Sequence, residues 1–315
     1  MPAADAAIEI DGLRKSYGRF EAVRGLSLDV RRGEIFAFLG PNGAGKTTTV
    51  EILEGFRKRD AGEVRVLGVD PEHGDRAWRA RIGIVLQEGR AQPALTIRET
   101  LELWSAYYPR SRPVAETLDL VGLGEKADER VGRLSGGQRR RLDVGLALVG
   151  KPELVFLDEP TTGFDPVARH AAWEVIAGLR DLGTTVFLTT HYLDEAQELA
   201  DRVAIIKEGV IVAEGAPDEL AGPGSQETEI VFGPPAGVEL RSLPGGAVAV
   251  VGDDGRARLR TERPTRLLAE LCGWAAERGL ELERLEVMRP TLEDVYLEIV
   301  GESASEAPAT EAAAP

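Results

Sequence analysis

The chain has 315 residues, room for one large domain and a smaller one, and its 43% hydrophobic content supports packed cores and excludes wholesale disorder. Its 53 acidic residues against 38 basic ones leave a net charge of −15, which argues against a nucleic-acid partner. The single cysteine, Cys272, excludes an internal disulfide and a cysteine-based metal site. In its apolar setting it reads as a small buried hydrophobe, in keeping with a reducing cytoplasm.

Residues 1–7 lack the basic start and apolar core of a signal peptide, and no run of about 18 apolar residues is present. The expectation is a soluble chain that reaches a membrane only through a partner. Short β-rich stretches open the sequence. Residues 34–39 then form a near-continuous apolar run, the composition of a strand buried on both faces. A Gly-rich loop follows (Gly40, Pro41, Asn42, Gly43, Ala44, Gly45, Lys46, Thr47), and the pattern predicts a helix over 48–56. Between Gln87 and Ser135 the pattern turns helical. Thr96 and Glu99 fit a capping box, and Leu101, Trp104 and Tyr108 fall at helical spacing. This stretch, 88–135, reads as a helical subdomain inserted into an α/β domain.

A helix is expected to begin near Arg139, and the three arginines 139–141 read as a solvated or interface-facing turn. Residues 154–157, 185–188 and 203–206 repeat the buried-strand composition, with a helix over 168–182 between the first two. Buried strands separated by helices imply a largely parallel sheet with crossover helices. A linker is expected at 221–225. Beyond it, strands at 229–232, 247–251, 256–260 and 280–287 and helices at 265–277 and 292–299 predict a small α+β domain over 226–300. Asp254 and Gly255 mark its hairpin turn. Residues 301–315, rich in Ala, Glu and Pro, read as a disordered tail.

The chemistry concentrates at strand ends. A Gly-rich loop between a strand and a helix can aim its backbone N–H groups at phosphate oxygens, with Lys46 adding a cation and the Thr47 hydroxyl a ligand for Mg²⁺. Asp158 and Glu159 end an apolar run, where ligands of open α/β sheets bind. Asp158 suits Mg²⁺, and Glu159 suits polarising an attacking water. His191 follows the next strand and is placed to contact a γ-phosphate, whereas His73 and His170 carry no such context. Ser135, Gly136, Gly137 and Gln138 at a helix start form a second anion site. One nucleotide needs a single phosphate loop, so this one is expected to serve a neighbour's ATP.

The ordered set resembles the ATP-binding subunits of ABC transporters. It implies an α/β P-loop ATPase domain over 1–221 with the inserted helical subdomain, followed by the small C-terminal α+β domain. By position, the resemblance assigns Tyr17 to adenine stacking, Thr48 to the phosphate loop and Asp165 to the dimer interface. It makes Gln87 the glutamine that senses Mg²⁺ and the membrane partner. Phe164 stands where the family usually has leucine. Residues 139–154 and 290–297 are similar to the daunorubicin-resistance type of drug exporter. ATP, Mg²⁺, a second copy of the domain and a separate membrane permease are thereby implied, with location on the inner face of the cell membrane. Trp104, Tyr107 and Tyr108 read as one helix, and at least one of them, with Glu88, is expected to line the groove that receives a short helix of the permease, although such an aromatic group is more often core. Two other readings are an ATPase of DNA repair or translation and an importer ATPase with a regulatory tail. The first fits poorly, because long coiled coils, zinc cysteines and a second ATPase core are absent from the sequence.

Overall fold

The computed structural model describes residues 6–85, 91–220, 228–235, 238–244, 249–252, 255–288 and 291–301. Gln87 and Glu88, the expected linker at 221–225, the turn residue Asp254 and residues 302–315 of the expected tail lie outside them. The chain divides into two units, Met1–Ala216 and Pro217–Pro315.

In the first unit, β1 (Ala6–Tyr17) and β2 (Phe20–Arg31) form an antiparallel pair, and β4 (Ala61–Val66) adds to β1, giving the order β2-β1-β4. The main sheet contains β3 (Ile35–Leu39), β5 (Ile82–Val85), β6 (Leu154–Asp158), β7 (Thr185–Thr189), β8 (Arg202–Lys207) and β9 (Val210–Gly215). Its order is β5-β6-β7-β3-β8-β9, parallel except for β9. Strand residues alternate between two cores. Phe36, Phe38, Phe156 and Phe187 face the antiparallel sheet and pack with Ile8, Leu26 and Val64. The Phe187 ring lies 5.6–5.7 Å from the other three. Ile35, Val155, Leu157, Val186 and Leu188 face the opposite way, onto helices. Both faces are dry, which is why these strands read as unbroken apolar runs.

The helices of this unit are α1 (Lys46–Leu53), α2 (Arg76–Arg79), α3 (Ile97–Ser105), α4 (Val114–Leu120), α5 (Gly136–Leu148), α6 (Pro166–Asp181) and α7 (Leu193–Leu199). The Thr96–Glu99 capping box is present, and α3 and α4 pack against α5 through Ile97, Leu101, Leu118 and Val121. Several expectations are corrected. Helix α1 starts at Lys46 and stops at Leu53, because Gly55 turns left-handed (φ 77°) and ends it. Helix α5 starts three residues early, because Ser135 and Gln138 form their own capping box. Helix α3 ends at Ser105, so Tyr107 and Tyr108 lie beyond it. Arg140 is buried rather than solvated (8% exposed).

In the second unit, α8 (Pro217–Leu220) precedes β10 (Thr228–Gly233), β11 (Ala249–Val251), β12 (Ala257–Thr261), α9 (Pro264–Glu277), β13 (Glu283–Met288) and α10 (Leu292–Gly301). The strands form an antiparallel sheet, β11-β12-β10-β13. Leu267 and Leu271, one helical turn apart, lay α9 on Ile230, Phe232 and Leu259, and Ala275 a turn further on is also buried. Cys272 sits about 100° round the helix from Leu271 and is exposed, not buried as its apolar neighbours implied.

Candidate functional site

The loop between β3 and α1 is held open by contacts that only glycine permits. A Cβ on Gly40 would lie 2.3 Å from the carbonyl oxygen of Ile206. One on Gly45, whose φ is +106°, would lie 2.4 Å from that of Ala22. Asn42 and Gly43 are exposed at the tip, Pro41 is half-buried, and Ala44 is buried, its N–H donating to the Pro41 carbonyl (3.2 Å). Lys46 is buried at the start of α1, and its Nζ donates to the carbonyls of Gly40 (2.6 Å) and Pro41 (3.1 Å). Burial draws its ammonium below the ordinary lysine value, while the charges of Glu159 and Asp158 oppose that shift. A buried cation facing two carboxylates at a helix N-terminus, with the exposed Thr47 hydroxyl beside it, is a donor set that fits a metal-bound polyphosphate. The Thr48 hydroxyl lies 3.4 Å from the Tyr17 hydroxyl, and the Tyr17 ring, partly exposed, has the Arg57 guanidinium 5.2 Å from its centroid.

Strand β6 delivers the carboxylates. Asp158 Oδ1 accepts from the Thr189 hydroxyl (2.5 Å) on neighbouring β7. Glu159 sits at φ +46°, a conformation that is costly for a non-glycine residue, and its N–H donates to the Thr189 carbonyl (3.0 Å). Its Oε1 lies 3.4 Å from His191 Nδ1, and its Oε2 accepts from the Thr162 hydroxyl (3.2 Å). Lys46, Asp158, Glu159 and His191 therefore converge at the carboxyl ends of β3, β6 and β7. His73 is exposed, near Asp70, and His170 packs its ring on Trp173.

Ser135, Gly136 and Gly137 line a cleft of about 490 Å³ with Arg139, Asp143, Glu159 and residues 162–165. None of residues 40–48 lines it. Ser135 Oγ accepts from the Gln138 N–H (3.3 Å), and the Gln138 side chain accepts from the Ser135 N–H (3.0 Å). Asp165 caps α6 by accepting from the Ala168 N–H (2.9 Å). An open groove of about 880 Å³ lies elsewhere on the unit, lined by Asp75, Arg76, Arg79, Tyr107, Tyr108 and Pro109. Tyr107 is 62% exposed there, while Trp104 packs against the core.

Glu195 and Asp143 carry no assigned role from the sequence, and Arg140 reads there only as one of three like arginines. Glu195 is fully buried, its Oε1 accepting from Thr161 Oγ1 (2.8 Å) and Trp173 Nε1 (3.0 Å), and burial raises its carboxyl. Burial likewise pushes Asp143 up to about 6, against the pull of Arg140 and Arg139. Arg140 shares a helical stripe with buried Val144, Ala147 and Leu148, a periodic signal that could have separated it from its two neighbours.

Residues 23–162 match the family described as ABC transporter, and residues 228–291 match one described as ABC transporter domain-containing protein-like, C-terminal domain. The chain is 39% identical over 313 residues to the daunorubicin resistance ATP-binding protein DrrA3 of Streptomyces coeruleorubidus, covering 95% of this chain and 97% of that one. It is 38% identical to the daunorubicin/doxorubicin resistance ATP-binding protein DrrA of Streptomyces peucetius, covering 98% and 96%. A Nod factor export ATP-binding protein I of a Rhizobium species is 41% identical, covering 94% and 97%. Among solved structures, the ADP conformation of an ATP-binding cassette of an ABC transporter superposes with a TM-score of 0.62 at 26% identity, covering 70% of this chain and 96% of that one. A dimeric post-hydrolysis cassette bound to ADP and Pi gives 0.59 at 26% identity, covering 66% and 98%.

Proposed function

The chain belongs to the ABC transporter ATP-binding proteins and is an ATPase of that family, and from this premise we propose that it is the motor subunit of an export system. The observation that carries the reading is the convergence of Lys46, Asp158, Glu159 and His191 at one set of strand ends, while the cleft of Ser135–Gly137 is lined by none of residues 40–48. In this reading the loop 40–48 cradles the β- and γ-phosphates through backbone N–H groups, and Lys46 exchanges its carbonyl partners for phosphate oxygens. Tyr17 stacks on the adenine. Thr47 and Asp158, with Gln87, hold Mg²⁺, which supplies charge neutralisation at the phosphates when bound. The Glu159 carboxylate accepts a hydrogen bond from the attacking water and aligns it on the γ-phosphorus. Its contact with His191 and Thr162 fixes the direction of its oxygens, and His191 also reaches the γ-phosphate.

Ser135, Gly136 and Gly137 complete the ATP site of a second copy, with Gln138 fixing the loop and Asp165 at the shared face. The active form is then a homodimer closed around two ATP. Among the described residues no helix is long and apolar enough to cross a membrane. In this reading the chain works with a separate permease, on the inner face of the cell membrane, as the export and resistance relatives support. The groove carrying Tyr107 is the proposed docking surface. The resistance and export relatives support a drug or another hydrophobic small molecule as cargo. Mg²⁺-dependent ATP hydrolysis by the purified chain tests the reading. Glu159→Gln should abolish turnover and retain ATP binding, and undiminished turnover in that variant would withdraw the role given to Glu159.

A further inference from the structure

Arg140 lies on α5, the helix opened by the Ser135–Gln138 turn, yet its guanidinium points away from solvent and into the end of β6. Its Nη2 donates to the carbonyls of Asp158 (2.7 Å) and Glu159 (3.3 Å), and its Nε donates to that of Pro160 (3.0 Å). One side chain thus holds three consecutive carbonyls, and the middle one belongs to the residue in the left-handed conformation. The buried Glu195 carboxylate accepts from the Thr161 hydroxyl and secures the next residue. We propose that Arg140 is a positioning residue for Glu159, coupling the Ser135–Gly137 turn on the same chain to the aim of its carboxylate.

A peptide chain leaving a strand relaxes to extended or helical geometry unless surrounding contacts over-determine a left-handed residue. Here the next carbonyls on both sides of Glu159 are gripped by one planar fork, so the peptide planes flanking its Cα are fixed and the side chain is held toward His191. A guanidinium is suited to this because its donors are rigidly spaced, whereas an ammonium is a single point that cannot span three carbonyls. Because the fork is carried by the helix that the turn begins, any shift of that turn on meeting a neighbour's nucleotide is passed to the base acting on the chain's own nucleotide.

The inference rests on the proposed role of Glu159, and the tests of the two are separable. In the full-length chain, Arg140→Gln and Arg140→Lys are compared with wild type for nucleotide-binding sites, counted with a fluorescent ATP analogue, and for turnover per counted site. Turnover per site should fall about tenfold or more in Arg140→Gln and recover in part in Arg140→Lys, with KM for ATP within about twofold of wild type. Turnover per site within about twofold of wild type in Arg140→Gln would overturn the inference. So would activity lost only in step with nucleotide binding, including loss through unfolding of both variants, since that marks a merely structural contact. Turnover persisting in Glu159→Gln removes the premise instead, while loss in Glu159→Gln beside full activity in Arg140→Gln removes the inference alone.

Discussion

Glu54 follows α1 and is 7% exposed, and burial, reinforced by the nearby charges of Asp158 and Glu51, pushes its carboxyl up to about 8 from an ordinary 4.5. A carboxyl raised in the folded state favours folding while it is protonated. That contribution is whole below pH 4.5 and is lost as pH rises through 8. At about 1.36 kcal/mol per pH unit, the ionisation open to this carboxyl in the unfolded chain but denied it in the folded one costs stability about 1.4 kcal/mol at pH 5.5 and about 4 kcal/mol at pH 7.5. Glu54→Gln keeps the shape and removes the titration. Any fixed cost of exchanging acid for amide is the same at both pH values and cancels in the difference. The variant's stability relative to wild type should therefore improve by about 2.5 kcal/mol between pH 5.5 and 7.5. At about 2–4 °C per kcal/mol for a unit of this size, the Tm difference should widen by roughly 5–10 °C. Thermal unfolding without nucleotide and with EDTA reads this directly. The lower pH is kept above the sequence pI of about 4.9, where solubility falls. A Tm difference that does not change with pH would refute the argument that Glu54 is held protonated by burial.

Gly45→Ala should lower stability by about 1–3 kcal/mol and abolish binding of a fluorescent ATP analogue, because its Cβ meets the Ala22 carbonyl and its φ is +106°. Full binding in that variant would show that the loop tolerates displacement. Tyr107→Ala, at an exposed position in the groove, should reduce recovery of the chain in the membrane fraction with a coexpressed permease. Its basal ATP hydrolysis should stay within about twofold of wild type, and unchanged recovery would place the docking surface elsewhere.

Much of the fold is legible because its signals are local. The apolar runs at 154–157 and 185–188 read as buried strands because both faces of the sheet are dry. The Thr96–Glu99 box states its own helix start, and the Gly-rich loop announces its flanking strand and helix. The ends of elements were less legible. The stop signal, Pro109, comes only after Tyr108, so Tyr107 and Tyr108 read as helical although the chain turns at Ala106. Cys272 shows that apolar neighbours in sequence do not decide which way one helical residue faces. Within the candidate site, the phosphate loop and the carboxylate pair follow from residue type and order. The contacts that aim them do not. Thr189 on Asp158, Arg140 on the carbonyls of 158–160 and Glu195 on Thr161 join residues 18–34 positions apart, and only the packed sheet brings them together. Arg140 is the instructive case, since three adjacent arginines look equally solvated until the buried stripe of α5 is traced through them.

The central claim is that each ATP site is shared between two copies of the chain. The most direct measurement is the solution mass, by light scattering, of Glu159→Gln with and without ATP, alone and combined with Ser135→Arg. The account predicts twice the 33.9 kDa chain mass with ATP, a monomer without it, and a monomer whenever Ser135→Arg is present. A Glu159→Gln chain that binds ATP yet stays monomeric, even with the permease present, would contradict the shared site, as would a dimer indifferent to Ser135→Arg.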